Sequence, residues 1–199
     1  MKTLKYIWLI LLFLSFNQGF SQQNSNVNLS KGASVLFNSV KSKLSVAEKN
    51  EIFTNTGFVL TGNKDLPFAA DNQDALNYPY DANVYVTDLN NDGNEEIFIV
   101  FGNSYTSGMT GSSAVLFIKN NVGKFAVNLG FPASLSVLPT SHLGYPDLLI
   151  GGPGFEFPVW RWNGKEYDLY KTIKNEELEK ISTKELSELS DTYQKTIKN

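Results

Sequence analysis

The chain has 199 residues, of which 42% are hydrophobic, 19% charged and 13% aromatic, and its net charge is −3 at neutral pH. This composition is typical of a globular protein and excludes disordered, collagen-like and coiled-coil chains. Cysteine is absent and histidine occurs once, at His142, which excludes disulfide scaffolds, Cys-based zinc sites and thiol nucleophiles. A mildly acidic chain without basic clusters also disfavours nucleic acid as a partner.

The N-terminus predicts export. A short basic start precedes an apolar run over residues 6–16 (YIWLILLFLSF), which is too short to span a bilayer and has the length of a signal h-region. Small residues then stand at Gly19 and Ser21, as a signal peptidase site requires. We expect residues 1–21 to be a signal peptide and 22–199 to be one globular domain, periplasmic or secreted, without stable membrane insertion after cleavage.

Helical patterns flank the centre of the chain. Apolar residues at helical spacing predict helical structure over residues 33–57 and a helical tail over residues 175–198. Capping boxes of the Ser-x-x-Glu type predict two helix starts, at Ser45–Glu48 and Ser182–Glu185.

Between the helices, short apolar runs separated by turn residues predict a β-rich region over residues 84–171. Asn163-Gly164 predicts a tight type I′ hairpin between its last two strands. The expected fold class is therefore α+β: an antiparallel, blade-like sheet of six or more strands, flanked by N- and C-terminal helices.

One segment, residues 88–96 (DLNNDGNEE), has the composition of a calcium loop. Oxygen donors stand at every second loop position: Asp88, Asn90, Asp92, Asn94 (through its carbonyl) and Glu96. Calcium prefers such hard oxygen ligands, and Gly93 permits the sharp turn. An EF-hand is excluded because Ile99, inside a strand, stands where that motif needs glutamate. The alternative, a solvated Asn/Asp turn, would leave its carboxylates to repel one another, so we expect a structural Ca²⁺ here.

The pattern D-x-N-x-D-G-x-x-E, followed by a hydrophobic strand, resembles the calcium loop of FG-GAP/VCBS-type repeats, the blade units of integrin-alpha-like propellers. Residues 144–154 (GYPDLLIGGPG) resemble a second stretch of that family. Pro139 and Leu143 stand where this second copy would need Asp88 and Asp92, so we expect one intact copy and one degenerate, metal-free copy. The resemblance implies four-stranded, blade-like sheets with calcium at a strand entrance. A complete propeller needs about four to eight blades and is excluded by length.

Two places could bind a ligand. In residues 155–162 the alternation of a strand puts Trp160 and Trp162 on one face. If the other face is core, the two indoles form a platform suited to sugar rings; the alternative is that both faces are buried. The long glycine- and hydroxyl-rich loop that contains Tyr105 and Ser107 is a second candidate, or else a flexible connection.

These features favour a small exported protein of the bacterial type that acts as a calcium-stabilised, non-enzymatic binding module. Its expected ligand is a glycan or an extracellular protein. The alternative is a small secreted hydrolase that uses carboxylates of the loop over residues 62–81, namely Asp71, Asp74 and Asp81. The sequence contains no P-loop, G-x-S-x-G or H-E-x-x-H pattern, and a lone His142 is a weak basis for catalysis.

Overall fold

The computed structural model describes residues 27–198. The predicted signal peptide lies outside the described residues. The helices of the described range are α1 (Lys31–Leu36), α2 (Val46–Thr56), α3 (Ser104–Ser107), α4 (Asn175–Leu178) and α5 (Leu186–Gln194), with a 3₁₀ turn over Gly108–Thr110. None of these described helices combines the length and the apolar character needed to cross a membrane.

The strands of the same range fall into three antiparallel sheets. In chain order they are β1 (Val59–Leu60), β2 (Phe68–Ala69), β3 (Ala82–Thr87), β4 (Glu96–Phe101), β5 (Ser113–Lys119), β6 (Phe125–Pro132), β7 (Ser134–His142), β8 (Tyr145–Gly151), β9 (Glu156–Trp162), β10 (Tyr167–Lys174) and β11 (Lys184–Glu185). Sheet 1 has the order β3-β4-β5-β6, sheet 2 the order β10-β9-β8-β7-β11, and β1 pairs with β2. The predicted α+β class with antiparallel sheets and flanking helices is confirmed.

Sheet 1 is the middle layer of the molecule. One of its faces, which includes Phe98 and Leu116, packs against Leu148 and Ile150 of sheet 2. Its other face packs against α1, α2 and the β1–β2 hairpin in a second core cluster, formed by Leu36, Phe37, Ile52, Phe58, Phe68, Tyr80, Val84, Val86, Ile97, Ile99, Val115, Phe117 and Phe125. Helix α5 closes the β3 edge, where the Ser190 hydroxyl accepts a 2.9 Å hydrogen bond from the Val86 amide.

The first four strands of sheet 2 repeat the meander of sheet 1 in the same register. Val86 of β3 pairs with Ile97 of β4, and Val137 of β7 pairs with Leu148 of β8. Both partners of the second pair lie 51 residues after their counterparts in the first pair. Sheet 1 and the β7–β10 part of the five-stranded sheet 2 are thus each a four-stranded antiparallel meander of the blade-like kind that the sequence predicts.

The two sheets also stack in the same sense. Phe98, on the face of sheet 1 that meets sheet 2, corresponds to Leu149 in the repeat. Leu149 lies on the outer face of sheet 2, in a small cluster with Val159 and Ile173 that packs against the α4 region. Equivalent faces therefore point the same way, as the faces of successive blades do around a propeller axis.

The predicted helical region over residues 33–57 contains two helices, and the first of them is shorter than its apolar pattern suggests. Helix α1 ends at Leu36, and α2 begins after Ser45, whose capping box with Glu48 is confirmed. The amide of Lys43 donates to Glu95 at 2.8 Å instead of to a helical carbonyl. A tertiary contact holds the intervening segment outside either helix.

Two other local predictions are wrong. Ser182–Glu185 is not a capping box, because Lys184 and Glu185 pair with β7 and α5 begins only at Leu186. Asn163-Gly164 is not a two-residue turn: strands β9 and β10 are joined by residues 163–166, closed by an Asn163–Glu166 backbone hydrogen bond, and Asn163 has no positive φ. The two-residue turn with positive φ at both positions lies between β7 and β8 instead.

Candidate metal loop and binding surface

Side-chain oxygens of the loop over residues 88–96 curl its backbone. Asp88 accepts hydrogen bonds from the amides of Asp92 (3.0 Å) and Gly93 (2.9 Å). Asn90 accepts from the Asp92 amide at 3.1 Å, and Asp92 from the Asn94 amide at 2.7 Å. Gly93 has φ +89°, a backbone conformation that favours glycine. The side chains of Asp88, Asn90 and Asp92 thus hold the loop in a tight turn by accepting hydrogen bonds from its backbone amides.

The last predicted ligand, Glu96, is buried: only 1% of its surface is exposed. Its carboxylate accepts the Leu89 amide at 2.6 Å and the Tyr145 hydroxyl at 3.1 Å. Burial raises the pKa of Glu96 to about 7; these two hydrogen bonds oppose the increase, whereas the negative charges of Asp92 and Asp88 add to it. The environment of Glu96 therefore disfavours its charged form.

Glu95 points away from the loop, although it is adjacent in sequence. Its carboxylate is buried and accepts three hydrogen bonds, from the Lys43 amide (2.8 Å), the Ser42 hydroxyl (2.8 Å) and the Tyr193 hydroxyl (3.2 Å). Glu95 therefore connects the segment between α1 and α2, and also helix α5, to the start of β4. Sequence reasoning missed this role; its only signal was the alternation of side chains at a strand start, which sends neighbouring residues to opposite faces.

In sheet 2, the residue that corresponds to Glu96 at the 51-residue offset is Asp147, and an arginine neutralises it. Arg161 donates from Nε to one Asp147 oxygen at 2.8 Å and from Nη2 to the other at 2.7 Å. Thr140 also donates to this carboxylate. Burial alone would raise the pKa of Asp147, but the hydrogen bonds from Arg161 and Thr140 and the arginine charge hold it below its ordinary value.

The chemistry of the loop suits a hard cation, but its acidic groups do not converge. Within residues 27–198, no three or more His, Cys, Asp or Glu side chains are grouped closely enough to hold a metal ion. Asp92, Asn94 and Glu96 share a cleft of about 390 Å³ with Asn120 and Asn121. These oxygen donors fit calcium in kind; for a full coordination shell, Asp88 would have to turn towards the cleft or water would have to complete the set.

The predicted tryptophan platform faces sheet 1. Trp160 packs against Phe131 with 5.2 Å between ring centroids. Trp162 packs against Tyr145 (4.4 Å) and Tyr167 (5.6 Å). Both indoles are half-buried at the margin of the core between the sheets, which matches the alternative in which both faces of β9 are covered.

The two candidates of the long loop have different environments. Ser107 is buried, and its hydroxyl is hydrogen-bonded to that of Ser113 at 2.8 Å. Tyr105 is 62% exposed and stacks on Tyr78 with parallel rings and 3.3 Å between centroids. Of the two, only Tyr105 presents its side chain to a ligand.

The groups considered for catalysis make local contacts. One oxygen of Asp71 accepts the amides of Gln73 (2.7 Å) and Asp74 (2.8 Å), so Asp71 stabilises a turn. His142 Nδ1 lies 2.9 Å from the Trp162 carbonyl oxygen. These contacts give Asp71 and His142 a structural role.

Comparison with known proteins adds no family to this geometry. No protein-family model, curated protein or solved structure matches the chain. The similarity to FG-GAP/VCBS-type repeats therefore stays a prediction from residues 88–96 and 144–154, and functional assignment depends on the geometry of the described residues.

Proposed function

We propose that the protein is an exported, calcium-stabilised, non-enzymatic binding module, with the ion held by the loop over residues 88–96. The observation that carries this proposal is the contrast between two equivalent buried acids. Asp147 has a protein cation, Arg161, whereas no Lys or Arg within residues 27–198 forms an ion pair with Glu96.

The register explains the contrast. Extending the pairing of each sheet by one residue sets Arg161 opposite Asp147 and Ile118 opposite Glu96. Ile118 is an apolar core residue and offers no positive charge. Because removing a carboxylate from water is costly without a counter-charge, Glu96 needs a cation from outside the chain to remain ionised.

A divalent ion in the loop would supply that charge. The ligands would be the side chains of Asp88, Asn90, Asp92 and Glu96 with the Asn94 carbonyl, all of them oxygen donors. Bound calcium would also offset the repulsion between the two aspartates and Glu96. The ion's role is structural: it fixes the strand entrance from which β4 enters the core.

The expected size of the effect follows from linkage. Extracellular calcium modules bind with Kd of about 10⁻⁴–10⁻³ M. At about ten times Kd, binding adds roughly 1.4 kcal/mol to the free energy of unfolding. This is enough to raise the melting temperature by several degrees.

Thermal unfolding in EDTA and in millimolar CaCl₂, with isothermal titration of the ion, tests the proposal. We expect calcium to raise the melting temperature of the native chain and Asp92→Asn to remove that increase. Asp191→Asn is the control, because Asp191 is an exposed carboxylate on α5 outside the loop. A native chain whose melting temperature does not respond to calcium would refute the ion-dependent scaffold.

A further inference from the structure

One surface of the described residues exposes aromatic and apolar side chains beside carboxylates. We call it the tyrosine surface: it consists of the stacked rings of Tyr78 and Tyr105, the carboxylates of Asp71 and Asp74 in the turn that leads to Tyr78, and Leu76 and Met109 on the same two loops. Leu76 and Met109 are each 90% exposed and Tyr105 is 62% exposed. Single exposed apolar side chains are ordinary on a protein surface; what distinguishes this surface is the exposed, stacked tyrosine ring beside carboxylates.

The scaffold holds this surface in place. The Asn103 side chain donates to the Pro79 carbonyl at 3.2 Å, which joins the two loops that supply the tyrosines. The same side chain accepts the amides of Tyr105 (2.9 Å) and Thr106 (3.1 Å) and so caps α3. Tyr105 therefore projects from a capped turn that is bonded to the neighbouring loop.

The surface is electronegative. Two parallel rings directly over one another repel through their quadrupoles, because each ring face is negative. Asp74 lies beside the stacked pair, because its backbone carbonyl accepts the Tyr78 amide at 2.8 Å, and an Asp71 carboxylate oxygen accepts the Asp74 amide at 2.8 Å. The neighbouring Tyr78 phenol raises the pKa of Tyr105, and the negative charges of Asp74 and Asp71 raise it further. A cation on the solvent-exposed face of the Tyr105 ring would be attracted by the negative ring face and would also balance the negative charge of the carboxylates.

The chain already contains a pairing of this kind. The Arg161 guanidinium lies 3.6 Å from the centroid of the Tyr170 ring while it binds the Asp147 carboxylate. An arginine in this protein thus contacts a tyrosine face and an aspartate at the same time. Tyr105 and Asp74 present the same two groups to the outside.

We propose that the tyrosine surface docks an arginine-containing segment of a partner protein, with a guanidinium on the Tyr105 ring and its charge balanced by Asp74 and Asp71. Leu76 and Met109 would contact apolar side chains next to that arginine. This inference depends on the proposed function only in taking the protein to be a binding module, and it identifies the class of partner. A neutral glycan would use the ring but gain nothing from the carboxylate charge, so charge complementarity favours the cationic segment.

The test uses a fluorescein-labelled peptide of alternating glycine and arginine, and its citrulline counterpart, which has similar shape and no charge. Fluorescence anisotropy with the full chain in millimolar calcium gives the affinities. We expect the arginine peptide to bind about tenfold more tightly than the citrulline peptide, and Tyr105→Ala to weaken it about tenfold. Asp74→Asn should weaken it several-fold, and Tyr105→Phe should retain most of the affinity because the ring face remains.

Phe155→Ala and Asp191→Asn are the matched controls: an 81% exposed aromatic on another loop and an exposed carboxylate on α5. Both should leave the affinity within about twofold of native, since neither contributes to the docking contact. Equal losses for Tyr105→Ala and Phe155→Ala, or equal binding of the two peptides, would overturn the inference. Binding of neutral oligosaccharides that Tyr105→Ala abolishes would also overturn it and assign the surface to a glycan.

The calcium titration is independent of this measurement. Peptide binding without a calcium effect on the melting temperature would refute the metal loop alone. A calcium effect without peptide binding would refute the docking inference alone.

Discussion

Glu96 and Asp147 hold equivalent positions in the two sheets, 51 residues apart, and each is 1% exposed. Asp147 makes a two-pronged ion pair with Arg161. Among the described residues, Glu96 receives one hydrogen bond from an amide and one from a phenol, and no ion pair. Within residues 27–198, the buried acid of sheet 2 thus has a counter-ion from the chain, whereas the buried acid of sheet 1 does not.

Glu96→Gln separates the charge of this residue from its packing. Glutamine keeps the size of the side chain: its carbonyl oxygen can accept from the Leu89 amide, and its NH₂ group can donate to the Tyr145 hydroxyl, which accepts as well as donates. Because the buried charge disappears, we expect the free energy of unfolding without calcium to be unchanged or higher, and the calcium-induced increase in melting temperature to be lost. Differential scanning calorimetry with and without calcium measures both quantities.

Glu95→Gln is the matched comparison for that variant, one residue away. It should weaken the charge-assisted hydrogen bonds from Lys43, Ser42 and Tyr193 and lower the free energy of unfolding by about 2 kcal/mol, while the calcium response remains. If Glu95→Gln abolished the calcium response and Glu96→Gln did not, the assignment of the ligand would be wrong.

The Asp147–Arg161 pair gives a stability prediction. Arg161→Met should lower the free energy of unfolding by about 3 kcal/mol, because it leaves a buried carboxylate without its counter-charge. The double variant Asp147→Leu/Arg161→Met should be less destabilised than Arg161→Met, since it removes the stranded charge as well. Urea unfolding of the variants measures the difference; a double variant at least as unstable as the sum of the single ones would argue against this electrostatic reading.

The same pair predicts a dependence on pH. The folded pKa of Asp147 is lowered from the ordinary 3.8, so its contribution to stability is full above that value and is lost as the pH falls through the folded pKa. We therefore expect the native chain to lose more stability than Asp147→Asn on acidification below about pH 4. Urea midpoints measured across that range provide the check, and parallel curves for the two chains would contradict it.

Local features of the fold could be predicted from the sequence, and long-range contacts could not. The Ser45–Glu48 capping box depends on residues three apart, and it forms as predicted. The Ser182–Glu185 box has the same spacing and fails because Lys184 and Glu185 join the edge of sheet 2. Strand β7 has mixed local signals: Leu135 and Val137 alternate with serines as in a strand, but Pro139 within it is typical of a loop.

The same limit applies to the candidate site. Loop spacing singles out Glu96, but the separate role of Glu95 depends on Ser42, Lys43 and Tyr193, which are far away in sequence. The alternation in β9 predicts that Trp160 and Trp162 share a face. It cannot tell that sheet 1 covers that face, because this depends on how the second sheet stacks.

Because Trp162 packs in the core between the sheets, its truncation should affect stability and not binding. Trp162→Ala removes the contacts with Tyr145 and Tyr167 and should lower the free energy of unfolding by about 3 kcal/mol. The affinity for the arginine peptide should not change at temperatures where the variant is folded. A variant with native stability and weakened ligand binding would restore the tryptophan platform as a binding site.

The turn between β7 and β8 offers a stabilising substitution. Leu143 has φ +50° and is 63% exposed, and Gly144 follows with φ +87°. A left-handed backbone is unfavourable for leucine and better tolerated by asparagine, so Leu143→Asn should raise the free energy of unfolding by about 0.5–1 kcal/mol. Gly144→Ala should lower the free energy of unfolding by about 1 kcal/mol, because a left-handed backbone is unfavourable for alanine and is not for glycine. Urea midpoints that shift in opposite directions for these two variants would establish that the backbone conformation of the turn causes both effects. A destabilised Leu143→Asn chain would contradict this, because it would show that contacts of the leucine side chain stabilise the fold by more than its backbone strain destabilises it.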